Sequence, residues 1–221
     1  MLAHPQRQPK GRDNARVGPL IAVDVAVLLP PAVADVAVAL SAGLPAFDSL
    51  GLRLDATHLP HITLTQQFIT RTAVPEMAAE VERVLREQPA LSLAVLGPGR
   101  GSRSVWMQIG LTPELGTLHR ALMDVLLPFE QPGGGPLDFA GGDARDRDVR
   151  FVSGFRRSSS FDSFTPHITL GHTRELPHVQ PIGFVADTVA LCHLGRFCTC
   201  RDVLRSWTLR DSRPGSEFPP D

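Results

Sequence analysis

The chain has 221 residues, a formal net charge of −1 and a hydrophobic fraction of 43%. That is enough apolar material for a core in one domain or two closely packed lobes, and it excludes wholesale disorder. A charge so near zero excludes a global field able to grip a long phosphate backbone, which favours a small nucleotide or an RNA end over duplex DNA.

Residues 1–18 are polar and basic, with Pro5, Pro9 and Gly11 and no apolar period, and read as a flexible tail. Leu20 to Leu29 is an apolar run broken by Asp24 and stopped by Pro30-Pro31. This suits a buried strand leading into a helix better than the core of a signal peptide. Pro31 to Leu50 carries Ala, Val and Leu at helical spacing and reads as a helix fraying at Gly43-Leu44-Pro45. After a strand over Thr57 to Thr70, Pro75 to Gln88 is an amphipathic helix with Met77, Val81, Val84 and Leu85 on the face that should cover a sheet. Leu91 to Leu96 and Ser104 to Leu111 are strand-like runs joined by a Gly- and Arg-rich turn, a hairpin. Pro113 to Leu127 is a further helix.

Gln131 to Ser160, with Gly133-Gly134-Gly135, Gly141-Gly142 and a serine run, reads as one long loop bordering a functional site. No Gly-Lys-Ser/Thr follows its glycines, so it is not a P-loop. A strand over Phe164 to Thr173 and two more β-type runs, Ile182 to Leu194 and Phe197 to Leu209, complete the domain at 19–210, and 211–221 reads as a second tail. The order of elements predicts an α/β (α+β) fold with mostly antiparallel sheets.

Within this frame one pentapeptide occurs twice, Pro60-His61-Ile62-Thr63-Leu64 and Pro166-His167-Ile168-Thr169-Leu170. Strand alternation puts His61 and Thr63 on one face and Ile62 and Leu64 on the other, and the second copy behaves likewise. Burying Ile and Leu fixes where the polar pair points, because a one-residue slip would drive the imidazole into the core. One copy in each half predicts two lobes facing across a cleft. Two histidines offer a general base and a general acid, and two threonine hydroxyls offer donors for anionic oxygens. In-line displacement at phosphorus needs acid and base on opposite sides, which facing copies supply without a metal.

The paired motif resembles that of the 2H phosphoesterases, whose signature is two His-x-Thr/Ser motifs on strands of a pseudo-two-fold, bilobal fold. The resemblance spans Leu20 to Leu209 in element order and is specific at His61-Ile62-Thr63 and His167-Ile168-Thr169. It implies two sheets facing a central cleft with helices outside, and catalysis by His61 and His167 with Thr63 and Thr169 on the phosphate. It implies no cofactor and no metal, and a nucleotide or RNA end carrying a 2',3'-cyclic or related phosphate as substrate. Two alternatives stay open: 2'-5' RNA ligase-type joining at the same site, and a non-catalytic module that binds an RNA end or nucleotide. A metal centre built from histidines is a further rival, which activity retained in chelator would count against.

Thr65 and Gln67 share the parity of His61 and are candidates to line the cleft. With no tyrosine in the chain, stacking against a base would fall to Phe155 or Phe151. His58, His119, His172, His178 and His193 are unrepeated and read as structural, His172 on the core side of its strand. Arg145, Arg147, Arg150, Arg156 and Arg157 read as a solvated charge run rather than a phosphate rim. Lys10 is the one lysine among 22 basic residues and lies in the tail, which excludes a lysine nucleophile in the domain. Cys192, Cys198 and Cys200, an odd set without a second ligand pair at zinc-finger spacing, read as buried hydrophobes in a reducing, cytoplasmic chain. A monomer without membrane attachment is expected.

Overall fold

The computed structural model describes residues 18–45, 51–102 and 104–211. The tails expected at either end lie almost wholly outside these residues. The chain runs β1 (Leu20–Leu28), α1 (Pro31–Ala42), β2 (His61–Thr70), α2 (Val74–Leu85), β3 (Leu91–Arg100), β4 (Ser104–Ile109), α3 (Pro113–Val125), α4 (Asp146–Ser158), β5 (His167–His172), β6 (Ile182–Ala186), β7 (Thr188–Gly195) and β8 (Thr199–Thr208). Prolines set the starts of α1 and α3, where the missing N–H costs nothing, and Thr112 Oγ1 accepts the Leu115 N–H to cap α3.

The strands form two four-stranded antiparallel sheets ordered β2-β1-β7-β8 and β5-β4-β3-β6. Each copy of the pentapeptide therefore opens a strand at one end of its own sheet. Each such strand pairs with the strand that precedes it in the chain, β2 with β1 across α1 and β5 with β4 across α3 and α4. The helices then exchange: α1 packs on β5 and α3 on β2. Ile62, Leu64, Ile168 and Leu170 meet in one apolar cluster with residues of α1, α2 and α3. This continuous core sits behind the polar faces of both motifs, and burying each such side chain contributes about 1.5–3 kcal/mol.

The run Ile182 to Leu194 is not one strand. It divides at Asp187, with β6 joining the β3 edge and β7 crossing to lie beside β1, so the chain's second crossing between lobes falls at a position that the continuous β-type composition hid.

Residues 131–160 are not a long loop. They contain α4, whose buried Asp148, Val152 and Phe155 fall at i, i+4 and i+7, with Asp146 and Asp148 in its first turn and Arg156 and Arg157 in its last. That charge order suits the helix dipole. The many charged and small residues mask a narrow apolar stripe, and α4 lies on the cleft side of the first sheet, where Val152 packs with Phe68, Phe139 and Leu194, rather than outside with the other helices. The glycine tract before it has a packing reason: a Cβ on Gly134 would stand 2.3 Å from the Phe68 ring.

Candidate active site

His61, Thr63, His167 and Thr169 all line one cleft of about 360 Å³ between the sheets, walled by α4 and by the turn at Arg196–Cys198. Both imidazoles are held the same way. His61 Nδ1 donates to the carbonyl of Leu59 and His167 Nδ1 to that of Thr165, each at 2.7 Å. In both cases the acceptor belongs to the residue before the motif proline, which Pro holds extended. With Nδ1–H committed to a carbonyl, a neutral ring carries its lone pair on Nε2.

Burial pulls the His61 imidazolium down to about 4, against the pull of the Leu59 carbonyl and helped by the His167 charge. Burial lowers His167 as well. Both rings are therefore neutral bases at pH 7 in the free protein.

The surroundings of the two copies differ. Behind the first, Asp24 of β1 is fully buried, and its Oδ2 accepts from Thr63 Oγ1 and Gln66 Nε2, each at 2.8 Å, and lies 3.6 Å from His61 Nε2. Burial pushes its carboxyl up to about 8 despite the bonds from Gln66 and Thr63, so it is a neutral acid at pH 7. Beside the second, the Trp106 ring lies 4.9 Å from the His167 ring. Gly99 makes room for it on the neighbouring strand, where a Cβ would stand 2.0 Å from Trp106 Nε1.

Thr65 and Gln67 do not line the cleft. Thr63 pairs with Ala26 and Thr65 with Val25, which leaves Leu64 as an extra residue in β2. This bulge reverses the side-chain alternation beyond it. Thr65 is fully buried, and Gln67 Nε2 donates to the carbonyl of Leu126 at the end of α3, while Gln66 turns into the cleft. The second motif repeats the device: Trp106 pairs with Thr169 and Val105 with Gly171, leaving Leu170 extra. Beyond it His172, at the position corresponding to Gln66, lines the cleft instead of facing the core.

Phe155 lies in the wall of the cleft but is buried, whereas Phe151 is 43% exposed. Arg145 and Arg147 also line the wall, Arg145 half-buried and Arg147 exposed. Asp148 fixes this corner: it accepts from Arg145 Nε and from the Phe197 backbone N–H, each at 3.0 Å, and the Arg145 guanidinium stacks 3.9 Å over the Phe197 ring. Burial works to raise the Asp148 carboxyl, but the Arg145 bonds prevail and hold it below the usual range. Asp24, Gln66, Trp106 and His172 were missed in the sequence. Trp106 carried a signal, since antiparallel pairing of a hairpin strand with the second motif brings it opposite Thr169.

Among the described residues no helix is long and apolar enough to cross a membrane. A family model described as the 2'-5' RNA ligase superfamily matches residues 30–187, a span that includes both motifs. The fold is similar to that of LigT from E. coli in its apo form, with TM-score 0.57 and 18% identity over 87% of this chain and 99% of that one. It is also similar to TT0787 of Thermus thermophilus, with TM-score 0.55 and 18% identity over 87% and 100%. A structure of E. coli LigT complexed with 3'-AMP matches with TM-score 0.57 and 18% identity over 86% and 98%. No curated protein sequence matches the chain.

Proposed function

The chain belongs to the 2'-5' RNA ligase superfamily, and we propose that it is a phosphodiesterase opening a 2',3'-cyclic or related phosphate on a nucleotide or RNA end, with His61 and His167 as its acid–base pair. The observation that carries this reading is the matched presentation of the two rings, each with Nδ1 tied to a backbone carbonyl and both on one cleft with the motif threonines.

One Nε2 takes a proton from water as its oxygen bonds to phosphorus. The ribose oxygen leaves from the opposite side and takes a proton from the other ring. Thr63 and Thr169 donate to the non-bridging oxygens as charge builds on them. Thr63 currently donates to Asp24, and a neutral Asp24 can return that bond by donating to Thr63 Oγ1, which frees the threonine proton for the phosphate. No step needs a metal or a cofactor. Arg145 and Arg147 add positive charge to the wall, and Phe151, with an exposed ring, offers a face to a base. That E. coli LigT is seen complexed with NADP+, 3'-AMP and ATP supports a nucleotide as the ligand of this chain.

Attack of a 5'-hydroxyl, in place of water, on a 2',3'-cyclic phosphate is the same displacement and leaves a 2'-5' bond, the base taking the hydroxyl proton and the acid giving one to the departing 3'-oxygen. The family description favours it as a second activity of the site. Purified protein offered 2',3'-cyclic nucleotides, cyclic-ended RNA and 2'-5'-linked oligonucleotides in the presence of chelator tests both. Turnover of a cyclic or 2'-5' bond that persists in chelator is expected, and binding without product across the panel would reduce the chain to a nucleotide-binding module.

A further inference from the structure

We propose that Asp24, His61 and Cys200 form a binding site for a thiophilic divalent cation of the Zn2+ class, and that its occupancy switches the phosphodiesterase off. One ligand atom from each of the three lies within 4.8 Å of the other two. Tetrahedral Zn2+ with bonds of about 2.0–2.3 Å sets its ligands roughly 3.3–3.8 Å apart. The distance still to close is about 1 Å, within reach of side-chain torsions.

The three residues come from β1, β2 and β8, and the backbone of Leu59 fixes two of them. Its carbonyl accepts from His61 Nδ1 at 2.7 Å, and its N–H donates to the Cys200 carbonyl at 3.0 Å. A ring held at Nδ1 by a carbonyl presents Nε2, the arrangement that orients ligating histidines. Asp24 Oδ2, which accepts from Thr63 and Gln66, lies 3.6 Å from His61 Nε2, while its buried Oδ1 has no hydrogen-bond partner. Such an oxygen is costly in a protein interior unless a donor or a cation meets it.

The donor set selects the ion. One carboxylate, one imidazole and one thiolate suit Zn2+, Co2+ or Cd2+ and disfavour Mg2+ and Ca2+, which want oxygen. One carboxylate and one thiolate neutralise a dication, so the occupied site buries no net charge. On binding, the Cys200 S–H and the Asp24 O–H bonds break, sulfur–metal and oxygen–metal bonds form and both protons pass to solvent. The Nε2 lone pair of His61 is consumed in the same event. The binding half of the proposal stands on geometry alone, and the inhibitory half rests on the phosphodiesterase reading.

Full-length protein titrated with Co2+ should develop thiolate-to-metal charge-transfer absorption at one equivalent, displaced by Zn2+. Cys200→Ala should abolish it, Cys198→Ala should keep it, and Asp24→Asn should weaken binding by more than the roughly 10–100-fold that loss of an outer-shell partner costs. Cys200→Ser, closer in size, serves should the alanine variant misfold, and it too should lose the charge-transfer signal. In the hydrolysis assay Zn2+ should inhibit the wild type reversibly by chelator, while each Cys200 variant, measured against its own metal-free rate, should be insensitive over the same range. No charge-transfer absorption in the wild type, or the same absorption in both Cys200 variants, overturns the site. Stoichiometric binding with an unchanged hydrolysis rate overturns the switch. A wild type without any hydrolysis defeats the phosphodiesterase reading and the switch together, and the absorption still decides the site.

Discussion

His119 Nδ1 lies 2.7 Å from the carbonyl oxygen of Leu64, the extra residue in the bulge of the first motif. Its counterpart in the second motif is capped in the same way, with Ser41 Oγ of α1 donating to the Leu170 carbonyl at 2.6 Å. A bulged residue drops out of the ladder, and a buried carbonyl left unpaired costs about 1–3 kcal/mol. Each lobe thus sends a polar side chain on its helix to satisfy the defect in the other lobe's motif strand.

This exchange makes the two caps stability determinants. Ser41→Ala should lower unfolding free energy by about 1–3 kcal/mol, and His119→Ala by at least as much, both read from urea midpoints at constant slope. His119 also accepts the Phe161 N–H at Nε2, 2.9 Å away, so both ring nitrogens are committed in the neutral form.

The pH dependence follows from that commitment. Burial lowers the His119 pKa in the fold below its ordinary value of 6.5, with the nearby Arg120 and Arg156 charges adding to it and the Leu64 carbonyl opposing it. The unfolded chain therefore takes up the proton first. The contribution is complete above pH 6.5 and is lost as pH falls below it. His119→Gln should flatten the acid side of the stability curve by up to one proton relative to wild type. An unaltered slope would show that the ring charges as easily inside as outside.

How far the sequence could be read follows the same bulges. The motif strands, their prolines and the inward-facing pairs up to Thr63 and Thr169 were legible, because alternation and a proline boundary are local properties. Thr65, Gln67 and His172 were placed on the wrong faces because an extra residue at Leu64 or Leu170 is stabilised from another lobe, and no window along the strand reveals it. Asp24 showed only as an acid interrupting an apolar run. Its pairing with Thr63 and Gln66 depends on β1 lying beside β2. The stripe of α4 was present but thin among arginines and serines.

The corrected parity separates neighbouring residues by experiment. Thr65 Oγ1 is buried without a hydrogen-bond partner, so Thr65→Val should leave kcat/KM alone and hold or raise stability. Gln66→Ala removes a donor to Asp24 beside the reacting groups and should cut kcat/KM by about tenfold, the scale of one lost hydrogen bond to a charged or strongly polar group. Equal effects at the two positions would restore simple alternation.

For the histidines themselves, His61→Ala and His167→Ala should each lower kcat by about 10²–10⁴-fold in a folded protein, with the double variant little worse than either single. Because burial depresses both rings, His61 to about 4, both limbs of the kcat/KM profile should lie below pH 6.5. The rate should then fall between pH 6 and pH 8 as the acid loses its proton. Bound phosphate adds negative charge beside the rings and should move the kcat limbs upward relative to those of kcat/KM. Both limbs belong to the coupled pair rather than to named residues. A kcat/KM flat through pH 8 would show that neither ring has to be protonated.

The wall of the cleft makes the remaining prediction. Asp148 is buried at the start of α4 and joins three things: the Arg145 backbone N–H, the Arg145 guanidinium and the Phe197 N–H. Phe197 and Cys198 both have positive φ, at 65° and 56°, a conformation that non-glycine residues hold only when their surroundings enforce it. Asp148→Ala takes away that enforcement and releases Arg145 from its place over the Phe197 ring, so the wall loosens while His61, His167 and their carbonyl anchors stay where they are. Breaking such a pair should cost about 3 kcal/mol of stability. KM should rise several-fold with kcat reduced far less, because the groups proposed to act at phosphorus are not disturbed. Asp148→Asn, which keeps the oxygen acceptor for Phe197 but not the charge for Arg145, should fall between the two. A drop in kcat with KM unchanged in Asp148→Ala would instead place this corner within the chemistry, with Arg145 as the group displaced from the phosphate.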